Sequence, residues 1–226
     1  MGVEWYNMIA RRNGGYRSKA LFTIEGISGE EIFENELIRV IPNCKSVLDA
    51  GCGHGEFTIK MAGFAKSIIG FDNSIEMITI ANAILQETEL TNTQFVYATT
   101  KQELPFSDGQ FDLIYDRRGP TSILNHPRIL SSGGTVLGIH SGALEIVRSR
   151  LDINGFTSVE IQEYNDAIIY FPNEKEFAKF ISGVPGNPDY TLNELKNELN
   201  VKLNESIING RIGLKEYKYI WKAIKA

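Results

Sequence analysis

Apolar positions along the chain change period several times, and the changes mark out its elements. Residues 3 to about 13 have helical spacing, stopped by Gly14 and Gly15. A second helix is predicted from Ser28, an N-cap residue, with Glu31 three residues later completing a capping box. Its Ile32, Phe33, Leu37, Val40 and Ile41 share one face, and Pro42 ends it. From Ser46 the period shortens. Residues 46–50 read as a buried strand, running into the glycine-rich turn 51–55 and an amphipathic helix bearing Phe57, Ile59, Met61 and Ala62. Strands at 67–71, 94–98 and 111–115, a helix from Ile75 to about Gln86, and a short helix over about 121–130 follow. The turn 132–134 leads into a strand at 135–139, and a helix from about Ala143 to Ile153 stops at Asn154-Gly155.

Strands alternating with helices at this spacing predict an α/β fold, a parallel sheet covered on both faces and doubly wound. After Gly155 the rhythm breaks. Residues 156–164 and 167–171 alternate like strands, helices are predicted at 174–181 and about 192–203, and a Gly/Pro-rich loop spans 183–188. Residues 214–223 alternate Tyr217, Tyr219 and Trp221 with polar or aliphatic neighbours, which predicts a late strand with one aromatic face. An amphipathic helix is the rival pattern there. The organisation expected is a single domain. Residues 1–43 form an N-terminal helical extension, 44–165 a core, 166–210 an inserted helical lid or substrate element over the strand ends, and 211–226 the final strand.

The chain has 226 residues, 42% apolar and 23% charged, which suits one large globular domain. Its net charge of -5 denies it a global basic field for nucleic acid. Two cysteines, Cys44 and Cys52, are too few for a disulfide framework or a cysteine-rich zinc site, and no metal is expected. No apolar run reaches the roughly 18 residues of a membrane span. The first residues lack a signal-peptide core, so a cytoplasmic setting is expected.

The sharpest chemical signal is Val47-Leu48-Asp49-Ala50-Gly51-Cys52-Gly53-His54-Gly55. Its G-x-G-x-G spacing fails the dinucleotide fingerprint, because position 56 is Glu, and no P-loop motif is present. Asp49 before the first glycine would repel a pyrophosphate but suits an ammonium group. Asp72, at the end of the next strand, can accept hydrogen bonds from ribose hydroxyls. A nucleoside with a positive, non-phosphate tail fits both acids, as S-adenosylmethionine does.

Residues 46–140 resemble the class I S-adenosylmethionine-dependent methyltransferases. The marks are VLDAGCGHG (47–55), IIGFDNSIEMITIA (68–81), ELPFSDGQFDLIY (103–115) and RILSSGGTVLGIH (128–140), in the expected order. The resemblance implies a doubly wound, Rossmann-like seven-stranded sheet with its last strand antiparallel. It also implies S-adenosyl-L-methionine as cofactor and S-adenosyl-L-homocysteine as product. Carried over position by position, the cofactor residues would be Asp49, Gly51, Cys52, Gly53, Gly55, Asp72, Asn73, Thr99, Thr100 and Lys101. One departure stands out: the acid the family commonly places six residues before the Phe of L-P-F is Thr100 here, whose hydroxyl can still accept a hydrogen bond.

Catalytic candidates follow the fourth and fifth core strands. Asp116, Arg117 and Arg118 lie where such active sites begin, and the arginines suit an acidic or phosphate-bearing substrate. The bland reading is a solvated turn, or a salt bridge with Asp116. His140 can act as a base near neutral pH, and His126 is a weaker candidate. Arg11, Arg12, Arg17 and Lys19, interleaved with Tyr6, Tyr16 and Phe22, read as a solvated face or a substrate patch. The D/N/S-P-P-Y/F motif of amino-methylating nucleic-acid enzymes is absent, and no cysteine stands beside it for covalent C5 chemistry. A small-molecule acceptor is therefore expected, with RNA, protein or a non-catalytic cofactor-binding role as alternatives.

Overall fold

The computed structural model describes residues 3–16 and 18–226. In chain order its elements are α1 (Val3–Asn13), β1 (Thr23–Glu25), α2 (Gly29–Val40), β2 (Val47–Ala50), α3 (Glu56–Ala62), β3 (Ile68–Asp72), α4 (Ile75–Gln86), β4 (Thr93–Tyr97), β5 (Phe111–Arg117) and β6 (Leu130–His140). The chain continues with α5 (Leu144–Ile153), β7 (Phe156–Tyr164), β8 (Ile168–Tyr170), α6 (Glu174–Ser182), α7 (Lys196–Glu205), β9 (Ile207–Ile208), β10 (Arg211–Lys215) and β11 (Lys218–Lys225).

Seven strands form the main sheet in the order β4-β3-β2-β5-β6-β11-β7, with β11 antiparallel to both neighbours. The order reverses between β2 and β5, which opens a crevice above their carboxyl ends. Strand parity sorts the core into two layers. Val47, Ile68, Leu113, Tyr115, Leu137 and Ile139 pack against Phe33 and Leu37 of α2 and Met61 of α3. Leu48, Phe71, Ile114 and Val136 face the other way, against Val147 and Leu151 of α5. Tyr219, Trp221 and Ala223 of β11 join that second layer, so the late aromatic pattern is a strand.

Between β7 and β11 the chain lays down α6 and α7, the strand expected at 167–171 (β8), and two further short strands, β9 and β10. The three strands join β1 in a second sheet, ordered β1-β8-β10-β9 and antiparallel throughout. Phe171, Phe177, Ile181, Tyr190 and Leu203 form a separate small core beneath it. The N-terminal extension is thus not only helical, and residues 211–215 belong to this second sheet rather than to the final strand.

Three local expectations are corrected. The helix expected over 121–130 is two 3-10 turns, Thr121–Asn125 and Pro127–Ile129, because Pro127 cannot donate to a continuing helix. The helix expected from 192 starts at Lys196, after a 3-10 turn. Ser28 does cap α2, accepting from Glu30 N, but Glu31 does not complete the box. Buried Glu216, from near the far end of the chain, instead accepts from the Ser28 hydroxyl at 2.7 Å and from Gly29 N, at the first turn of α2, at 3.0 Å.

Gly138 lets β11 close on β6. Trp221 is its register partner, and a Cβ there would stand 2.2 Å from Trp221 Cζ2. Gly138→Ala is therefore expected to cost about 1–3 kcal/mol as an overpacking change. Urea unfolding measures it, and an unchanged midpoint would show that the indole has room to retreat.

Candidate functional site

The carboxyl ends of β2, β3, β5 and β6 open into a cleft of about 790 Å³. Gly51 has φ 82°, and a Cβ on it would lie 2.6 Å from Pro120 Cδ and 2.8 Å from the Gly119 Cα. Glycine alone lets the turns after β2 and β5 touch. Gly53, at φ 54°, has nothing within 4 Å of its missing Cβ, so bare backbone borders open space. Its N–H donates to Asp72 Oδ2 at 3.0 Å. Asp72 Oδ1 accepts from Ser74 N at 2.9 Å, while Ser74 caps α4. Burial pushes the Asp72 carboxyl above its ordinary value, against the pull of those backbone donors. Cys52, Asn73 and Thr99 line the same wall. Burial raises the Cys52 thiol well above the usual range, so it is no thiolate. Thr100 also borders the cleft, but its hydroxyl is bonded to Ser122 Oγ at 2.6 Å.

Four expected site residues do not line the cleft. Asp49 shares strand parity with Tyr115 and so points beneath the sheet toward α3. There it is 2% exposed and accepts from Thr58 Oγ1 at 2.6 Å and Tyr115 OH at 2.8 Å. Burial raises its carboxyl to about 7 despite those two donors. It supports the glycine turn rather than facing a ligand. Gly55 is a packing glycine: a Cβ there would meet the Phe95 ring at 2.6 Å. Lys101 is exposed outside the cleft. Asp116 is fully buried behind the wall, where it holds Gly119 N at 2.6 Å and His140 Nε2 at 3.0 Å.

That last contact follows from register. Asp116 pairs with Gly138, so Asp116 and His140 project on one face, two residues apart along β6. His140 lines the cleft and is only 8% exposed. His126 instead lies within 3.1 Å of the Thr100 carbonyl and is structural.

Arg117 and Arg118 border the cleft, but neither pairs with Asp116. Both turn to Glu30 of α2, at 2.8 Å and 3.3 Å, where Lys218 also stands 3.6 Å away. Burial opposes the Glu30 charge, yet Arg118, Arg117 and Lys218 outweigh it and hold the carboxyl below its ordinary value. Arg117 further lies over the Phe57 ring at 4.3 Å. Tyr6, Tyr16 and Pro185 complete the cleft, and Tyr16 N lies 3.2 Å from His54 Nδ1. Of the N-terminal patch, Arg11 pairs with Glu76, Arg12 with Asp189, and Phe22 packs on Phe180. Arg17 lies outside the described residues. Glu30 was missed because nothing local marks it: its partners stand 87 residues and more away.

The cleft has the room and donor set for S-adenosylmethionine: bare glycine backbone at one end, a carboxylate at ribose position, and space beyond for an acceptor. A family model described as a methyltransferase domain matches residues 43–165, more than half of the chain. The chain belongs to this family. This methyltransferase is 35% identical over 68 residues to the uncharacterized methyltransferase YcgJ of Bacillus subtilis (strain 168), a match covering 30% of this chain and 26% of YcgJ. It is also 35% identical over 71 residues to the 23S rRNA (uracil(1939)-C(5))-methyltransferase RlmD of Haemophilus parainfluenzae (strain T3T1), covering 30% of this chain and 16% of RlmD. The chain thus spans about a quarter or less of the curated relatives it matches. Among solved structures, a functionally unknown protein of Deinococcus radiodurans R1 superposes with a TM-score of 0.71 at 22% identity, over 99% of this chain and 100% of that one. The YcgJ structure gives 0.67 at 18% identity, over 86% and 98%. These likenesses show the fold, and the family model shows that residues 43–165 form a methyltransferase domain. No helix among the described residues is long and apolar enough to cross a membrane, and no group of acidic, histidine or cysteine side chains there could hold a metal.

Asp49 yields a pH prediction. Its carboxyl sits near 3.8 in the unfolded chain and at about 7 in the fold. Between those values the unfolded state gives up a proton that the folded state keeps, so this residue's contribution falls as pH rises. Asp49→Asn keeps an acceptor for Thr58 and Tyr115 without the charge. The stability gained by the variant over the parent should grow from pH 4 to about pH 7 and then level off. Parallel urea titrations across that range test it; a constant difference would place the charge in water.

Proposed function

We propose that this methyltransferase binds S-adenosylmethionine along the Gly51–Asp72 wall and methylates a small molecule that carries an acidic group. The observation that carries the reading is the Asp116–His140 hydrogen bond, 3.0 Å long, at the wall opposite the glycine turn. When bound, the cofactor supplies an electrophilic methyl group on a sulfonium. The chain's own residues then have three tasks. Asp72 accepts from the ribose hydroxyls while it keeps Gly53 and Ser74 in place. Asn73, Thr99 and Thr100 border the adenine end, and Gly51, Cys52 and Gly53 offer backbone at the other.

His140 takes the acceptor's proton. With Nε2 donating to Asp116, the lone pair lies on Nδ1, and a carboxylate behind the ring stabilises the imidazolium that results. Arg118, whose side chain is 40% exposed, has Nε engaged with Glu30 and so keeps its terminal nitrogens for an acidic group on the acceptor. The 183–188 loop, which reaches the cleft at Pro185, covers it from water.

Methylation of a pyrimidine C5, as in RlmD, is not favoured. That chemistry needs a thiolate beside the acceptor. Cys44 is buried under α2, and the Cys52 thiol is held protonated by burial.

Two measurements test the reading. Isothermal titration should show S-adenosylhomocysteine binding and no comparable binding of NAD. Asp72→Ala should weaken that binding roughly ten- to a hundredfold, as loss of charge-assisted hydrogen bonds does. Equal affinity in the variant would return Asp72 to a purely structural role. In a radiolabelled methyl-transfer screen of fractionated metabolites, RNA and protein, labelling of a small acid is expected. With that acceptor, His140→Gln should lower kcat by about 10²–10⁴-fold. Binding without any transfer would make the protein a cofactor sensor instead.

A further inference from the structure

A second cavity, of about 630 Å³, lies further along α1 than the cleft. Tyr6 of α1 borders the cleft, whereas Ile9 and Arg12, one to two turns on, border this cavity. The 183–190 loop also touches both, with Pro185 in the cleft lining and Gly183 in the cavity lining, and the Arg12–Asp189 pair, 2.7 Å long, ties this loop to α1. Most of the cavity wall belongs to α6, α7 and the loop between them, outside the residues that match the family model.

Its chemistry differs from the cleft's. The base is apolar: Ile9, Ala178 and Tyr190 are 3%, 3% and 7% exposed, and Leu199 packs beside them. The rim carries Arg12, Lys19, Lys175, Lys179 and Lys196 against a single acid, Glu174. In the chain as a whole acids outnumber bases, 28 to 23. Five cations to one anion around one cavity run against that balance. Arg12 and Lys179 are paired, with Asp189 and Glu176. Lys19, Lys175 and Lys196 hold no hydrogen bond or close ion pair among the described residues, although Lys175 lies near enough to Glu176 to help hold its carboxyl low. Lone surface lysines are usually just solvated, but here three stand around one apolar hollow.

We infer that this cavity is a binding site for an amphiphilic anion, a carboxylate or phosphate head on an apolar tail. The tail lies on Ile9, Ala178, Tyr190 and Leu199, where burying each methylene is favourable. The head meets the free lysines at the rim, which are the donors suited to a point charge on a mobile head group. The inference is independent of the acceptor proposed above, because no residue of the methyl-transfer site lines this cavity.

The test uses the full chain and four probes: decanoate, decyl phosphate, decanol and inorganic phosphate. Isothermal titration should show decanoate or decyl phosphate binding at one site per chain, and the stronger of the two identifies the head. Decanol and inorganic phosphate should each bind at least about tenfold more weakly, since each lacks half of the recognition. The double variant Lys175→Glu, Lys196→Glu alters only exposed side chains and should weaken the anionic probe by about tenfold or more. Its thermal melt and its S-adenosylhomocysteine affinity should match the parent's. The inference is overturned if decanol binds as well as decanoate, if the double variant binds unchanged, or if saturating S-adenosylhomocysteine displaces the probe, which would place it in the cleft.

Discussion

Three carboxylates at the carboxyl edge of the sheet, Asp49 and Asp116 buried and Asp72 half-buried, draw donors to themselves that give the cleft its shape. A buried carboxylate without hydrogen bonds costs several kcal/mol, so neighbouring chain must be brought to it. Asp72 draws in the Gly53 and Ser74 amides and so sets the glycine turn against the start of α4. Asp116 draws in Gly119 and His140 and so joins the turn after β5 to the end of β6. Asp49 draws in Thr58 and Tyr115 and clamps α3 to the sheet below. Remove these needs and the three loops lose their common geometry, although the strands would remain.

The parallel half of the fold was legible in the sequence because each element there is local: the helical spacing from Ile75 marks α4, and the short run into the glycine turn marks β2. The resemblance of residues 46–140 added the number of strands and the antiparallel final strand. What was not legible depends on distant partners. Asp49 looked like a ligand group because it precedes the glycines, but β2 parity turns it under the sheet to Tyr115, 66 residues on. Glu30, a first-turn acid of α2 with no local mark, gathers the two arginines expected to face a substrate. Glu216 joins Ser28 at the start of α2 across 188 residues of sequence. A local pattern reports what a residue can do; its partner in space decides which of those things it does.

The second sheet has a related logic. β8 is flanked by β1 from the start of the chain and by β10 from near its end. Arg211 fastens the arrangement, lying 3.7 Å over the Tyr170 ring and pairing with Glu25 of β1 at 2.5 Å. Segments that no local signal would group together thus form one body beside the cleft, and α1 and the 183–190 loop contribute residues to both its cavity and the cleft.

The place of β11 constrains how the molecule is assembled. Among the described residues β7 pairs only with β11, which enters the sheet between β6 and β7 after the entire second sheet has been made. During synthesis β7 therefore emerges with its ladder groups unmet and stays so until β11 is available. The parallel strands can organise earlier, whereas this edge closes by a non-local pairing with its loop-closure cost. In that interval the free edge of β6 is open to strands of other chains. Prompt arrival of the last strand is thus what stands between this fold and self-association while it is being made.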